Sequence, residues 1–203
     1  MKFLIKSFCG GYDRNFAYLV YDEKERKAIA IDPVLPDKIL EFIKKEDLDL
    51  VFIMNTHSHF DHISGNQELI SKTNAELLAL KENEVIELAS LTVSVIATPG
   101  HTNSDVSILI NNSALFTGDT LFVGKIGGNF ESTPKIQFES LKKLMKLNDN
   151  IIIYPGHDYG ETPTSTIKKE KATNPFIQRL DNYDDFIWIK ENWMRYRQEH
   201  KTK

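Results

Sequence analysis

The stretch THSHFDH, residues 56–62, decides the interpretation of this 203-residue sequence. It directly follows residues 50–54, an apolar run that predicts a buried strand. Side chains two apart on extended chain point the same way, so His57 and His59 are expected to converge on one ion. Asp61 and His62 are neighbours whose side chains diverge, so we expect them to serve a second ion. Three of the chain's six histidines lie here, which makes a chance surface cluster a poor explanation.

Three further residues share one sequence setting: an apolar predicted strand, a short turn or loop, and then a potential ligand. They are His101, Asp119 and His157, which follow predicted strands at residues 92–97, 114–117 and 151–154. Strand ends on a rigid sheet fix ligand geometry well, and neighbouring glycines permit tight turns. Neutral imidazoles and carboxylates suit zinc, iron or manganese. The sixth histidine, His200, lies in a charged tail and is assigned to solvated surface.

The order of predicted elements indicates the fold class. Strands are predicted at residues 3–7, 16–21, 27–31, 50–54, 75–80, 92–97, 106–110, 114–117 and 151–154, and helices at 36–46, 65–72, 136–146 and 166–172. The strands come in clusters, each followed by a helix, which does not fit a regular alternation of strand and helix. Two mainly antiparallel or mixed sheets with helices outside them fit better. The predicted fold is therefore α+β, a four-layer αββα sandwich.

The chain is predicted to be a single domain over residues 1–203, with a short helical tail from about residue 176. It shows no internal repeat, low-complexity segment or linker. In the stretch 183–203, Phe186, Ile189, Trp193 and Tyr196 fall at helical spacing. That stripe predicts a helix docked on the body of the domain, with a partner surface as the alternative.

Composition excludes several classes of protein. The net charge of −4 argues against nucleic acid as a partner, and no apolar run of about 18 residues predicts a membrane span. The first residues carry charge too early for a signal peptide, and the lone Cys9 rules out an internal disulfide. A cytoplasmic location and a small-molecule substrate are therefore expected, and no true β-lactamase is expected without an export signal.

The residue pattern resembles the metallo-β-lactamase superfamily, and within it hydroxyacylglutathione hydrolases (glyoxalase II) and persulfide dioxygenases. The resemblance covers about residues 3–176 and rests on the 57–62 segment followed in order by His101, Asp119 and His157. It implies a metallo-β-lactamase-like fold with two metal positions. By position, His57, His59 and His101 would hold the first metal, Asp61, His62 and His157 the second, and Asp119 would bridge them. Asp61 would also orient the reacting water, as a catalytic residue.

This resemblance implies a hydrolase with two divalent metals, zinc being favoured and one iron or a mixed zinc, iron or manganese site being the alternatives. Two neighbouring cations acidify a shared water, which attacks a small thioester or ester. A mononuclear-iron persulfide dioxygenase is one alternative, with His57, His101 and Asp119 as its iron ligands. A lactonase and a non-catalytic, metal-stabilised interaction scaffold are the others. A ribonuclease is disfavoured by the acidic charge balance.

One loop departs from the glyoxalase II pattern. Those enzymes usually carry a basic residue and a tyrosine there to hold glutathione, whereas this chain has Gly128 and Phe130 at these positions. Fewer than thirty residues follow the stretch 174–176, so the long C-terminal region that completes the glutathione site is expected to be shortened. Thioester hydrolysis is thus expected, with glutathione recognition left open.

Overall fold

The computed structural model describes residues 3–200, which build two mixed β-sheets with helices outside them. The first sheet has the strand order β1-β2-β3-β4-β5: β1 (Phe3–Gly10), β2 (Asn15–Asp22), β3 (Lys27–Ile31), β4 (Asp49–Met54) and β5 (Glu76–Leu77). The pairs β1/β2 and β2/β3 are antiparallel, and β3/β4 and β4/β5 are parallel.

The second sheet is built from the later part of the chain. Its strands are β6 (Val85–Leu88), β7 (Leu91–Ala97), β8 (Val106–Ile110), β9 (Ala114–Gly118), β12 (Ile152–Pro155) and β13 (Ser165–Thr166), while β10 (Leu121–Phe122) and β11 (Lys125–Ile126) form a separate hairpin. Their spatial order is β13-β12-β9-β8-β7-β6, and β12 runs parallel to β9. Each sheet therefore comes from one contiguous part of the chain.

Helices cover the outer face of both sheets. They are α1 (Pro36–Glu46), α2 (Phe60–Ile63), α3 (Asn66–Thr73), α4 (Pro134–Leu144), α5 (Ile167–Thr173), α6 (Tyr183–Glu191) and α7 (Trp193–His200), with a 3-10 turn at Ile177–Arg179. The Thr133 side chain caps α4 by accepting a hydrogen bond from the Ile136 amide, and Pro134 occupies the first turn. No helix within residues 3–200 is both long enough and apolar enough to cross a bilayer.

Period-two alternation along the strands creates three apolar layers. In β2, Tyr18 and Val20 pack between the sheets, whereas Ala17 and Leu19 pack against α1 and α3. In β9, Phe116 faces the space between the sheets and Leu115 faces the helices on the far side. Three buried layers between four layers of secondary structure are the αββα sandwich, so the predicted α+β fold class is confirmed.

The details differ from the sequence prediction in several places. The strand expected at 75–80 is reduced to Glu76–Leu77. The four-residue edge strand Val85–Leu88, whose residues alternate between exposed and half-buried, is absent from the prediction. The end of the histidine-rich segment is a helical turn, Phe60–Ile63, rather than extended chain. The tail is two helices interrupted at Asn192, and residues 201–203 lie outside the described residues.

The tail packs as the sequence predicts for a docked helix. Phe186 and Ile189 are fully buried in the layer under the second sheet, and Trp193 packs on Phe176 with ring centroids 4.8 Å apart. The assignment of all 203 residues to a single domain stays a prediction, and residues 1–2 and 201–203 of that span lie outside the described residues.

We expect Phe186→Ala to lower the free energy of unfolding by about 3–5 kcal/mol, because it opens a cavity in this layer. Trp188→Ala on the same helix is the control, since Trp188 is 45% exposed and its loss is expected to cost much less. Urea unfolding followed by circular dichroism measures both. Equal costs for the two variants would show that the tail is not part of the core.

Candidate metal centre

The structure brings all seven predicted ligands together at one edge of the two sheets. They are His57 and His59 in the loop after β4, Asp61 and His62 on α2, His101 in the loop between β7 and β8, Asp119 just after β9, and His157 just after β12. The strands that precede these residues end at the same edge of the sheets, so residues a hundred positions apart meet there. The sheets are rigid and therefore hold the side chains in fixed positions.

Three histidines form the first group of ligand atoms. The Nδ1 atom of His59 lies 3.1 Å from Nε2 of His57 and 3.0 Å from Nε2 of His101. The Oδ2 atom of Asp119 lies 3.5 Å from Nε2 of His101. Nitrogen atoms at these separations can all reach one small cation.

A second group lies beside the first. The Nε2 atoms of His62 and His157 are 3.3 Å apart, and Oδ2 of Asp61 is 3.5 Å from Nε2 of His157. The other oxygen of Asp119, Oδ1, lies 3.4 Å from Nε2 of both histidines. The two oxygens of Asp119 therefore approach different groups.

Hydrogen bonding leaves lone pairs in the middle of the cluster. Three Nδ1 atoms face oxygen acceptors: His62 faces Asp32 Oδ2 at 3.0 Å, His101 faces the Gly128 carbonyl at 2.9 Å, and His157 faces the Asp13 carbonyl at 2.8 Å. These oxygens only accept, so each Nδ1 donates and, in the neutral ring, Nε2 carries the lone pair. The Nε2 atoms of His62 and His157 lie 3.3 Å apart, so a cation between them, a proton or a metal ion, would be shared by both rings.

Charge and burial point to the same conclusion. The buried Oδ1 of Asp119 has no hydrogen-bond partner among the described residues. In each of three groups of side chains, the potential ligand atoms lie within 4.8 Å of one another. Burial acts to lower the pKa of His62, but the carboxylates of Asp32 and Asp119 outweigh it and raise the pKa to about 10. Burial, together with His62, lowers the pKa of His57 to about 3. The site thus favours positive charge and keeps the His57 imidazole neutral. Both properties fit a divalent metal, which binds neutral imidazole.

Several supporting residues escaped the sequence prediction. Asn15, fully buried at the start of β2, donates to both Oδ2 (2.9 Å) and the carbonyl (3.0 Å) of Asp61. Asp32, buried just after β3, accepts hydrogen bonds from Thr56 and faces His62. Asp32 directly follows a buried strand, which is the signal that indicated the candidate ligands and could have indicated Asp32 as well. Asn15 begins a strand, so that signal does not apply to it.

The cluster forms the floor of an open cavity of about 370 Å³. Phe122 and Tyr159 line one side, and Phe130, 74% exposed, stands over His101 with ring centroids 5.0 Å apart. Gly156 approaches so closely that an added Cβ would lie 2.4 Å from Asp119 Oδ1, which explains why a glycine precedes His157.

The chain is similar to a known protein family. The family model described as metallo-beta-lactamase superfamily matches residues 10–85 and 78–157. The chain belongs to the metallo-β-lactamase superfamily. A hydroxyacylglutathione hydrolase from Dictyostelium discoideum is 36% identical over 192 residues, covering 84% of this chain and 72% of that protein. The predicted superfamily is therefore confirmed.

Two solved structures are similar to this chain over most of its length. ETHE1 from Myxococcus xanthus has a TM-score of 0.85 and 31% identity, covering 94% of this chain and 91% of that one. TTHA1623, solved in a di-iron-bound form, has a TM-score of 0.72 and 26% identity, covering 84% and 99%. The family match and the hydrolase relative show that the chain is an enzyme of the metallohydrolase class, and its cluster of histidines and aspartates fits divalent metal binding.

We expect Asp32→Asn to weaken metal binding about 10–100-fold, the usual effect of losing an outer partner of a metal-binding histidine. An amide NH₂ facing His62 Nδ1 would drive the ring proton to Nε2, where a metal needs the lone pair. Asp22→Asn is the control, because Asp22 is equally buried but bonds Ser90 and the 24–25 backbone instead. Competition with a metal-sensitive chelator measures both affinities, and equal values would contradict this role of Asp32.

Proposed function

We propose that the chain is a dinuclear hydrolase of small thioesters or esters, similar to glyoxalase II. In this proposal His57, His59 and His101 hold one metal, Asp61, His62 and His157 hold the other, and Asp119 bridges them. The observation that carries it is the split of the Asp119 carboxylate, whose Oδ2 approaches His101 while Oδ1 approaches His62 and His157. One carboxylate oxygen for each group is what a bridging ligand requires.

Zinc is the metal we propose, since imidazole and carboxylate are ligands that suit it, although the same ligands also suit iron. When bound, the two ions supply Lewis acidity and an activated water at neutral pH. The solved di-iron form of TTHA1623 supports two metals and keeps iron as the alternative.

The protein's own groups would orient the reacting water and substrate. Asp61 lies at the cavity floor, and Asn15 fixes its Oδ2 by a hydrogen bond of 2.9 Å. That carboxylate is therefore positioned to accept a proton from the attacking water, which makes Asp61 the proposed catalytic residue. Phe130 supplies an apolar wall above His59 and His101, suited to the carbon skeleton of a small acyl group.

The thioester class rests on the similarity to the hydroxyacylglutathione hydrolase. Recognition of glutathione does not follow from this similarity, because this chain has Gly128 and Phe130 where those enzymes usually carry a basic residue and a tyrosine. A cytoplasmic location, inferred from the lone cysteine, is part of this proposal. A lactonase and a non-catalytic scaffold stay predictions that the assays below address.

A persulfide dioxygenase is the second candidate, favoured by the structural similarity to ETHE1. His57, His101 and Asp119 would then hold one iron, a two-histidine, one-carboxylate set. Oxygen consumption in the presence of glutathione persulfide tests this candidate. About one iron per chain, oxygen uptake and no thioester hydrolysis would replace the hydrolase proposal.

We expect protein purified without added metal to hold about two metal ions and to hydrolyse a small thioester. His59→Ala and His157→Ala are each expected to lower kcat/KM by at least about 100-fold, more than loss of an outer partner causes. His200→Ala, which removes an exposed histidine of α7, is the control. Elemental analysis and a thiol-release assay measure the two properties. Full activity in His157→Ala would contradict the dinuclear site, and no turnover of any thioester, ester or lactone would favour the scaffold.

Gly128→Lys is expected to lower KM for a glutathione thioester several-fold and to leave KM for an uncharged thioester unchanged. A side chain fits at this position, since an added Cβ would meet Phe130 only at 3.5 Å. The new ammonium would face the cavity and attract the glutathione carboxylates. Steady-state kinetics with the two substrates measure the effect, and unchanged KM values for both would show that this loop does not contact glutathione.

A further inference from the structure

A buried glutamine connects the C-terminal tail to the loop beside the metal site. Gln137 on α4 is fully buried. Its Nε2 donates to the Gly127 carbonyl at 2.8 Å, and its Oε1 accepts from Nζ of Lys190 on α6 at 2.5 Å. The chemistry of the partners fixes this orientation, because an ammonium group only donates and a carbonyl only accepts.

Lys190 itself is unusual for a lysine. It is half-buried, and among residues 3–200 it makes no salt bridge with a carboxylate. Burial lowers its pKa to about 8. Its Nζ also lies 5.7 Å from the centroid of the Phe186 ring, so within the described residues its contacts are a glutamine oxygen and an aromatic face, without a compensating carboxylate.

The loop that Gln137 holds encloses His101. The Gly128 carbonyl accepts from His101 Nδ1 at 2.9 Å, and the Phe130 amide donates to the His101 carbonyl at 2.9 Å. Asn129 donates to the Gly100 carbonyl at 2.5 Å. Four consecutive residues, 127–130, therefore contact either Gln137 or the backbone and ring around His101.

Helix α4 also contacts residues 99–100, the segment directly before His101. Gly100 lies so close to Gln137 that an added Cβ would be 2.7 Å from Gln137 Cβ, and Ser140 donates to the Pro99 carbonyl at 2.7 Å. Gln137 thus contacts the segment that carries the His101 ring and bonds the loop that orients it. Within the described residues, none of the proposed ligands of the second metal (Asp61, His62 and His157) is linked to α6 by such a chain of hydrogen bonds.

We propose that Gln137 and Lys190 are positioning residues that fix the 127–130 loop and, through the Gly128 carbonyl, set the orientation of the His101 imidazole. The C-terminal helix α6 would then contribute to the geometry of the metal position formed by His57, His59 and His101. The inference rests on the proposed ligand set, but not on the identity of the substrate.

Gln137→Glu separates this role from simple packing. The carboxylate keeps an acceptor for Lys190 but has no N–H for the Gly127 carbonyl, so the helix contact persists while the loop contact is lost. Gln178→Glu is the matched control: it makes the same change in an exposed glutamine that donates to the Ala172 carbonyl, far from the site. Lys190→Met is the second variant, which removes the anchor and leaves the Gln137 amide in place.

The readouts are the visible spectrum of the cobalt(II)-substituted protein, metal affinity by chelator competition, and urea unfolding of the metal-free protein. We expect Gln137→Glu to change the cobalt spectrum and to weaken metal binding about 10–100-fold. Lys190→Met is expected to do the same to a smaller extent, and Gln178→Glu to match the wild type in both. Lys190→Arg, which restores a donor to Gln137, is expected to recover the wild-type spectrum.

Wild-type spectra and affinities in both Gln137→Glu and Lys190→Met would overturn the proposal. A loss of affinity with an unchanged spectrum and an equal loss of stability would also overturn it, because that pattern describes packing alone. Failure of the proposed function looks different: the wild-type protein would bind fewer than two metals or hydrolyse no thioester, whatever the variants show.

Discussion

The structure depends on the convergence of imidazole lone pairs and carboxylate oxygens at the shared edge of two sheets. Such an arrangement favours a bound cation, since the Nε2 atoms of His62 and His157 lie 3.3 Å apart and Oδ1 of Asp119 has no hydrogen-bond partner among the described residues. A bound metal ion would take up these donor atoms, so metal binding and the stability of the fold are coupled. The sheets supply the rigidity that keeps the ligands from moving apart.

The outer partners of the ligands explain how the ring orientations are set. Asp32, Gly128 and Asp13 each accept a hydrogen bond from the Nδ1 of one histidine ring. They lie in three separate parts of the chain, which are the end of β3, the loop after β11 and the turn between β1 and β2. Fixing the proton on Nδ1 keeps Nε2 free for metal. Asn15 fixes the orientation of the Asp61 carboxylate in a similar way, by donating a hydrogen bond to its Oδ2. The metal site is therefore as much a property of these loops as of the seven ligands.

Much of the fold and all of the candidate ligands could be predicted from the sequence, because both depend on local patterns. Apolar strands that end in a turn and then a histidine or aspartate revealed the ligands, and period-two alternation revealed the sheets. What escaped prediction depends on tertiary contact: β6 and β13 are short edge strands that only their neighbours define, and the break of the tail at Asn192 carries no proline or glycine. Gln137 and Lys190 have ordinary sequence contexts, and only the fold shows that they meet.

The division of the chain between the sheets has a consequence for how the molecule is held together. The first sheet and its following loop carry His57, His59, Asp61 and His62, whereas His101, Asp119 and His157 come from the second. Each proposed metal position draws on both parts, so an ion bound there would cross-link the two parts of the chain that residues 78–84 join. Two fragments cut in that segment would have complementary half-sites, and metal could control their reassembly, as in a split-protein sensor.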